Sequence, residues 1–252
     1  MRIFFKPMPW LTLLSCLSLT LLLKLGFWQK DRLAWKLDLL EQVELAANAE
    51  PITSLGDIQF ALDNEEFVEF RRVYIEDVSY SPAAGKCGEL GTYYVFTARN
   101  RDETWRKFFL MEKGGVFFFS EIGLISQKDR MTQRPCVNLQ SRHLIGYVRT
   151  HEWQDRPKVK STPELNRWFA FNPMPETDDW ARRLGYPDAE MRFYIETVDG
   201  YNSASKLPPK RPDIRNNHFD YMLTWFSMAI LLIIFYVLIH IKNGQVGLNP
   251  RT

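Results

Sequence analysis

Two apolar segments bracket this chain, and any fold it adopts must place both. Pro7 to Leu23 carries no charged residue, and apolar character resumes after Lys24 with Leu25, Gly26, Phe27 and Trp28. Near the other end, Tyr221 to Ile239 is also uncharged. About 20 apolar residues cross a bilayer core as a helix. The first segment opens with Arg2 and Lys6, as a cleaved signal peptide does, but no small-residue Ala-x-Ala site follows. Lipidation at Cys16 is another alternative, yet the apolar run continues through Leu17-Ser18-Leu19. The expectation is two uncleaved transmembrane helices, at residues 7–28 and 219–241, with a short tail at 242–252.

About 190 residues lie between the spans, enough for one domain with its own core. The helical pattern outlasts the first span. Leu33, Leu37, Leu40 and Glu44 recur at i, i+4, i+7 and i+11, which carries the helix to about Ala47, with Pro51 marking its end. Residues 48–215 then read as a β-rich domain. Phe67 to Ile75, Thr92 to Arg99, Trp105 to Glu112, Arg142 to Thr150 and Met191 to Thr197 alternate loosely. Gly114-Gly115 is a turn signal before the apolar run Val116 to Phe119. Trp168 to Phe171 is a shorter strand candidate, and Thr177 to Leu184 a short helix closed by Gly185. Lys206 to Arg215, with Pro208, Pro209 and Pro212, reads as an extended return to the membrane. The fold class is a membrane-anchored α+β protein: two transmembrane helices bracketing one antiparallel, barrel-like domain.

Several function classes are disfavoured. The net charge is +2, with both signs mixed throughout, so there is no basic stripe for nucleic acid. No phosphate loop, nucleophile elbow or His-Glu-x-x-His helix is present, and the chain reads as a non-enzyme. His143 and His151 have no carboxylate or cysteine at ligand spacing and read as structural or exposed. His240 ends the second span and is expected to snorkel to the interface. Cys87 and Cys136 lie in loop-like contexts, and sequence leaves open whether they form a disulfide.

The informative residues sit at the two membrane boundaries. After the first span, Gln29, Arg32 and Lys36 form a polar stripe at i, i+3 and i+7, either solvated or in contact with a partner. Before the second runs Asn216-Asn217-His218-x-x-Tyr221-x-x-Thr224-Trp225-Phe226. His218, Met222 and Trp225 share a helical face, with Tyr221 beside them. In one reading Asn217 caps the helix and Tyr221 and Trp225 join the aromatic belt. In the other, His218 is a ligand for a flat, iron-bearing cofactor. Composition alone favours the first.

Both boundary motifs resemble one family. Gly26-Phe27-Trp28-Gln29-x-x-Arg32-x-x-x-Lys36 is similar to the N-terminal signature of the Surfeit locus protein 1 family, assembly factors for cytochrome c oxidase, and the Asn216–Phe226 motif is similar to its C-terminal signature. Weaker similarity covers Asn166-x-Trp168 and Asp179-Trp180-Ala181. One departure marks a divergent member. Where the family carries an Asn-Arg-Gly-Trp-like strand end, this chain has Phe118-Phe119-Ser120-Glu121-Ile122-Gly123-Leu124, without the arginine and tryptophan.

The resemblance implies an inner-membrane protein whose domain is extracytoplasmic: in the periplasm, or in the intermembrane space if the source is mitochondrial. It implies help in delivering haem a to the oxidase catalytic subunit or stabilising it there, with haem a synthase as a further partner. His218 is then the tentative iron ligand, with Tyr221, Trp225 and Arg215 around the macrocycle. Trp28, Gln29, Arg32, Lys36, Asn216 and Asn217 are interaction residues. Charge points the other way on orientation. Lys24, Lys30, Arg32, Lys36, Lys206, Lys210, Arg211 and Arg215 flank the spans on the domain side, against Arg2, Lys6, Lys242 and Arg251 on the terminal side. That rule weakens for loops beyond about 60 residues. The alternative function is a two-span periplasmic ligand-binding or sensor-like module; the short tail after Ile241 counts against signalling by this chain alone.

Overall fold

The computed structural model describes residues 2–80, 92–97, 104–132, 142–150, 162, 165, 167, 186–200, 203–212 and 215–249. The strand expected at Trp168–Phe171, the helix expected at Thr177–Leu184, His151, Cys87, Cys136 and the Asn166 and Asp179 motifs lie outside these residues. Two compact units form: Met1–Glu41 with Asp213–Thr252, and Gln42–Pro212.

The first unit is built on two helices. Helix α1 runs Pro9–Asn48; proline at a first helical position gives up no needed N–H. The returning helix, α4, spans His218–Lys242. Both are long and apolar enough to cross a membrane, and the chain is a membrane protein on that ground. Most of their large apolar side chains are exposed, among them Leu14, Leu17, Leu231 and Phe235, as lipid-facing positions should be. They pack closely near Gly26, where an added Cβ would lie 2.7 Å from Phe226 Cε1. Phe27 meets the same ring edge-on, with centroids 5.4 Å apart.

A small sheet closes the far end of this pair. Strand β1 (Arg2–Phe5) runs antiparallel to β8 (Val246–Asn249), from Arg2↔Asn249 to Phe5↔Val246. Here the expectation for His240 fails. It does not snorkel; it is fully buried. The Met8 N–H donates to its Nε2 at 3.2 Å, and its Nδ1 donates to the Tyr236 carbonyl at 2.8 Å. Phe5 and Tyr236 rings flank it at 5.4 and 4.2 Å. A neutral imidazole with both nitrogens bonded can stay buried; a single open nitrogen would have sought water.

In the second unit α1 ends against polar partners. Arg72 Nη2 donates to the Ala49 carbonyl at 2.9 Å and Arg71 Nε to the Glu50 carbonyl at 3.3 Å, so donors reach carbonyls just past the helix end, where no further turn would serve them. Glu44 pairs with Arg211 through two bonds of 2.6 and 2.7 Å. The buried positions of this stretch are Val43, Ala46 and Ala47. Of the periodic set that predicts this extension, Leu37 and Glu44 are exposed and Leu33 and Leu40 half-buried.

A helix that periodicity did not reveal follows: α2, Leu55–Asp63, capped by Ser54, whose hydroxyl accepts from the Gly56 N–H at 3.1 Å. Its Leu55, Ile58 and Ala61 join Val73, Ile75, Phe109, Phe118, Phe193 and Ile195 in the main core. Burying a side chain such as Ile58 contributes about 1.5–3 kcal/mol.

The remaining strands are β2 (Arg72–Tyr80), β3 (Thr92–Thr97), β4 (Thr104–Lys113), β5 (Val116–Ser126), β6 (Arg142–Arg149) and β7 (Glu190–Thr197), with a short helix α3 at Gln127–Thr132. They form one sheet in the order β2-β6-β7-β5-β4-β3. Gly114 and Gly115 join β4 to β5 with φ of 60° and 84°, as the favoured two-residue hairpin turn requires. Two parts of the expectation change. The sheet is mixed, because β5 and β7 are parallel. The ladders also do not define a clear barrel: β2 meets β4 at only two register positions, Ser79↔Glu112 and Tyr80↔Met111.

The sheet is apolar on both faces. Phe109, Phe118 and Phe193 turn into the main core, while their neighbours Phe108, Phe119 and Tyr194 join Tyr93, Val95 and Leu110 in a second cluster.

Candidate functional site

His218 is the first residue of α4, so its side chain lies where the chain re-enters the apolar segment. Its Nδ1 lies 2.7 Å from Gln29 Oε1. Gln29 is buried, at 7% exposure, although Phe27 and Trp28 immediately before it are exposed. An amide oxygen only accepts, so Nδ1 donates and the neutral ring keeps its lone pair on Nε2. No described residue bonds Nε2.

The other expected site residues divide. Arg32 stacks its guanidinium over the Trp35 ring at 4.0 Å, and the Lys36 ammonium lies 5.6 Å from the same ring. Their charges act on His218. Trp225 is half-buried, and its indole N–H has no partner among the described residues; the same holds for the Asn216 side-chain oxygen. Tyr221 and Trp28 are exposed. Asn217 makes no capping bond to α4. With its amide oxygen turned toward exposed Arg215, it accepts from Nε and Nη2 of that residue at 2.9 Å. Arg215 therefore occupies the oxygen that capping would have used.

A second polar cluster, in the other unit, went unrecognised in the sequence. Arg106 and Glu121 pair at 2.7 Å on neighbouring strands, nearly buried, and Arg106 also donates to the Tyr194 hydroxyl. Arg149 bridges Glu69 at 2.7 Å and Glu196 at 2.5 Å. Lys210 completes the set on Glu196. Glu69 accepts further bonds from Thr150 N and Oγ1 at 2.5 and 2.9 Å. Burial pushes the Tyr194 phenol up to about 12, against the pull of Arg106 and Arg149. Burial would raise the Glu196 carboxyl, but Lys210 and Arg149 outweigh it and hold it below its ordinary value. Lys210 is lowered, because loss of water outweighs its carboxylate partner. Each cation thus has its anion, and the cluster is self-satisfied.

The run Phe118–Leu124 lies within β5, where Phe108↔Glu121 and Lys107↔Gly123 leave Ile122 as an extra residue. Glu121 of this run takes its arginine partner from β4, as Arg106. His143 is exposed on β6 beside Tyr74. Among the described residues no group of three or more His, Cys, Asp or Glu could hold a metal ion.

Comparison with known proteins points one way. A profile of the SURF1 family matches residues 16–230. A SURF1-like protein of Rickettsia conorii is 29% identical over 242 residues, covering 93% of each chain. Surfeit locus protein 1 of Rattus norvegicus is 25% identical over 228 residues, covering 81% of this chain and 67% of the relative.

Proposed function

The chain belongs to the SURF1 family, and on that premise we propose that it is a non-enzymatic assembly factor for cytochrome c oxidase, aiding delivery of haem a to the catalytic subunit or its stabilisation there. The observation that carries this reading is the His218–Gln29 bond of 2.7 Å, which leaves an unshared imidazole lone pair beside an apolar segment.

The residues present fit the group. A macrocycle supplies four nitrogens of its own, so a single protein histidine suffices, as in other proximal-histidine haem proteins. Haem a, when bound, would supply an iron that accepts a nitrogen donor. His218 Nε2 would hold that iron. Trp225 offers an aromatic surface and an unpartnered indole N–H. Arg215 is exposed and would meet propionates by charge-assisted bonds. A single protein ligand from a half-buried side chain would suit a carrier, which must also release its cargo. In this reading the domain faces the periplasm of an inner-membrane protein, and the oxidase catalytic subunit and haem a synthase are the partners.

The test is deletion of the chain in a host that makes haem a, followed by membrane spectra and oxidase assay. Mature oxidase should fall. His218→Ala, inserted and folded, should restore it less well than wild type and carry less haem a on purification. A reporter active only outside the cytoplasm, fused after Gly115, should be active. Unchanged oxidase on deletion would return the chain to the ligand-binding or sensor-like reading. A silent reporter with an active fusion after Thr252 would invert the topology and remove the support for haem a delivery.

A further inference from the structure

A neutral histidine carries one ring hydrogen, and the partner of that nitrogen decides where the lone pair stays. The two histidines of α4 make a natural comparison. At His240, Nδ1 donates to the Tyr236 carbonyl and Nε2 accepts from Met8 N–H. At His218, Nδ1 faces Gln29 Oε1 at 2.7 Å. Both rings hold the Nδ1–H form. One is saturated; the other keeps Nε2 without a partner among the described residues.

Gln29 is the residue that makes the difference. It reaches His218 from the other helix, across 189 positions of sequence, and is buried in doing so. The close approach at Gly26, one turn earlier, brings its backbone near α4. Histidines that ligate metals usually give their other N–H to a carboxylate, carbonyl or water, which fixes the tautomer and the ring plane. A glutamine oxygen does this without adding charge.

We propose that Gln29 is a positioning residue for His218: its side-chain oxygen holds the Nδ1–H tautomer and so presents Nε2 as the ligating atom. The ligating role rests on the haem reading above; the hold on the ring does not. Gln29 touches no cofactor itself and acts only through His218.

The test uses the full-length chain in mild detergent with ¹⁵N-labelled histidine. His218→Ala assigns the His218 signals among the four histidines. Wild type should show His218 in the Nδ1–H form. Gln29→Leu, close in size and without an acceptor, should shift His218 toward the Nε2–H form. Gln29→Glu, which keeps an acceptor oxygen, should restore Nδ1–H. An unchanged His240 signal in each variant reports that the helix pair is intact. Titration with haem a, followed by absorbance, gives the second readout. Gln29→Leu should bind roughly 10–100-fold more weakly than wild type, with Gln29→Glu close to wild type.

A wild-type His218 in the Nε2–H form, or one indifferent to Gln29→Leu, overturns the proposal. Equal haem affinity in wild type and Gln29→Leu overturns the positioning role in ligation. Should wild type bind no haem a while the tautomer still follows Gln29, the haem reading fails and Gln29's hold on His218 stands.

Discussion

Thr12 Oγ1 and Tyr236 Oη meet at 2.7 Å, although 224 positions separate them in sequence. Each hydroxyl sits in an uncharged, mostly apolar stretch of its helix, where an unpaired one would be costly. In sequence order this contact falls between Gln29–His218 and Met8–His240. Three polar contacts thus fix α1 and α4 antiparallel and in one register, which lipid-like apolar side chains cannot do by themselves.

Thr12→Val and Tyr236→Phe should therefore each loosen the helix pair slightly. Hydrogen bonds between membrane helices are worth about 0.6 kcal/mol on average and about 1.7 at most. A double-mutant cycle on thermal unfolding in detergent should return a coupling in that range. Strictly additive losses would mean that the two hydroxyls do not stabilise one another.

Gly26→Ala sets two effects in opposition. Alanine favours a helix over glycine by about 1 kcal/mol, but its Cβ would meet Phe226 at 2.7 Å. Overpacking costs about 1–3 kcal/mol, so the variant should be less stable. Adding Phe226→Leu should recover most of the loss. A Gly26→Ala protein at least as stable as wild type in detergent melts would show that the ring turns aside freely.

Asparagine before α4 and serine before α2 should behave differently. Ser54 accepts from the Gly56 N–H at 3.1 Å, and losing a cap of this kind costs about 0.5–2 kcal/mol. Asn217 caps nothing. Ser54→Ala should lower the denaturant midpoint, while Asn217→Ala should leave it nearly unmoved. The reverse ranking would overturn this account of both helix starts.

Acid should weaken the domain through Glu196. Its carboxyl lies below its ordinary value when folded, so the folded state resists protonation more than the unfolded state. The stabilisation is complete above the unfolded carboxyl value of about 4.3 and fades as pH falls through the lower folded value. Tryptophan fluorescence of the full chain should show an acid transition that Glu196→Gln makes shallower. The same transition in both proteins would assign the acid sensitivity elsewhere.

The two apolar helices around a sheet-rich domain were legible because a membrane imposes a long, one-signal pattern. The sheet was harder to read. Phe108 and Phe109, Phe118 and Phe119, and Phe193 and Tyr194 are all buried, on opposite faces. Alternation therefore vanishes where strands are covered twice. Helix α2 left a readable mark, Ser54 followed by Asp57, but its nine residues are too few for periodicity to be decisive. The Gln29–His218 contact was half visible: both residues stood out at the membrane boundary, while their meeting depends on the register of two distant helices. The Arg106–Glu121 and Arg149–Glu69 pairs were hidden for a similar reason. Sequence shows a charge on a strand but not which side of the sheet it faces.

The pairing of β1 with β8 sets an order of events during synthesis. Phe5 cannot meet Val246, nor Met8 its imidazole acceptor, until the ribosome has delivered both the whole middle domain and the second span. Until then the opening residues of the chain stay unlatched. The two-stranded latch therefore closes late, after the second span has been made.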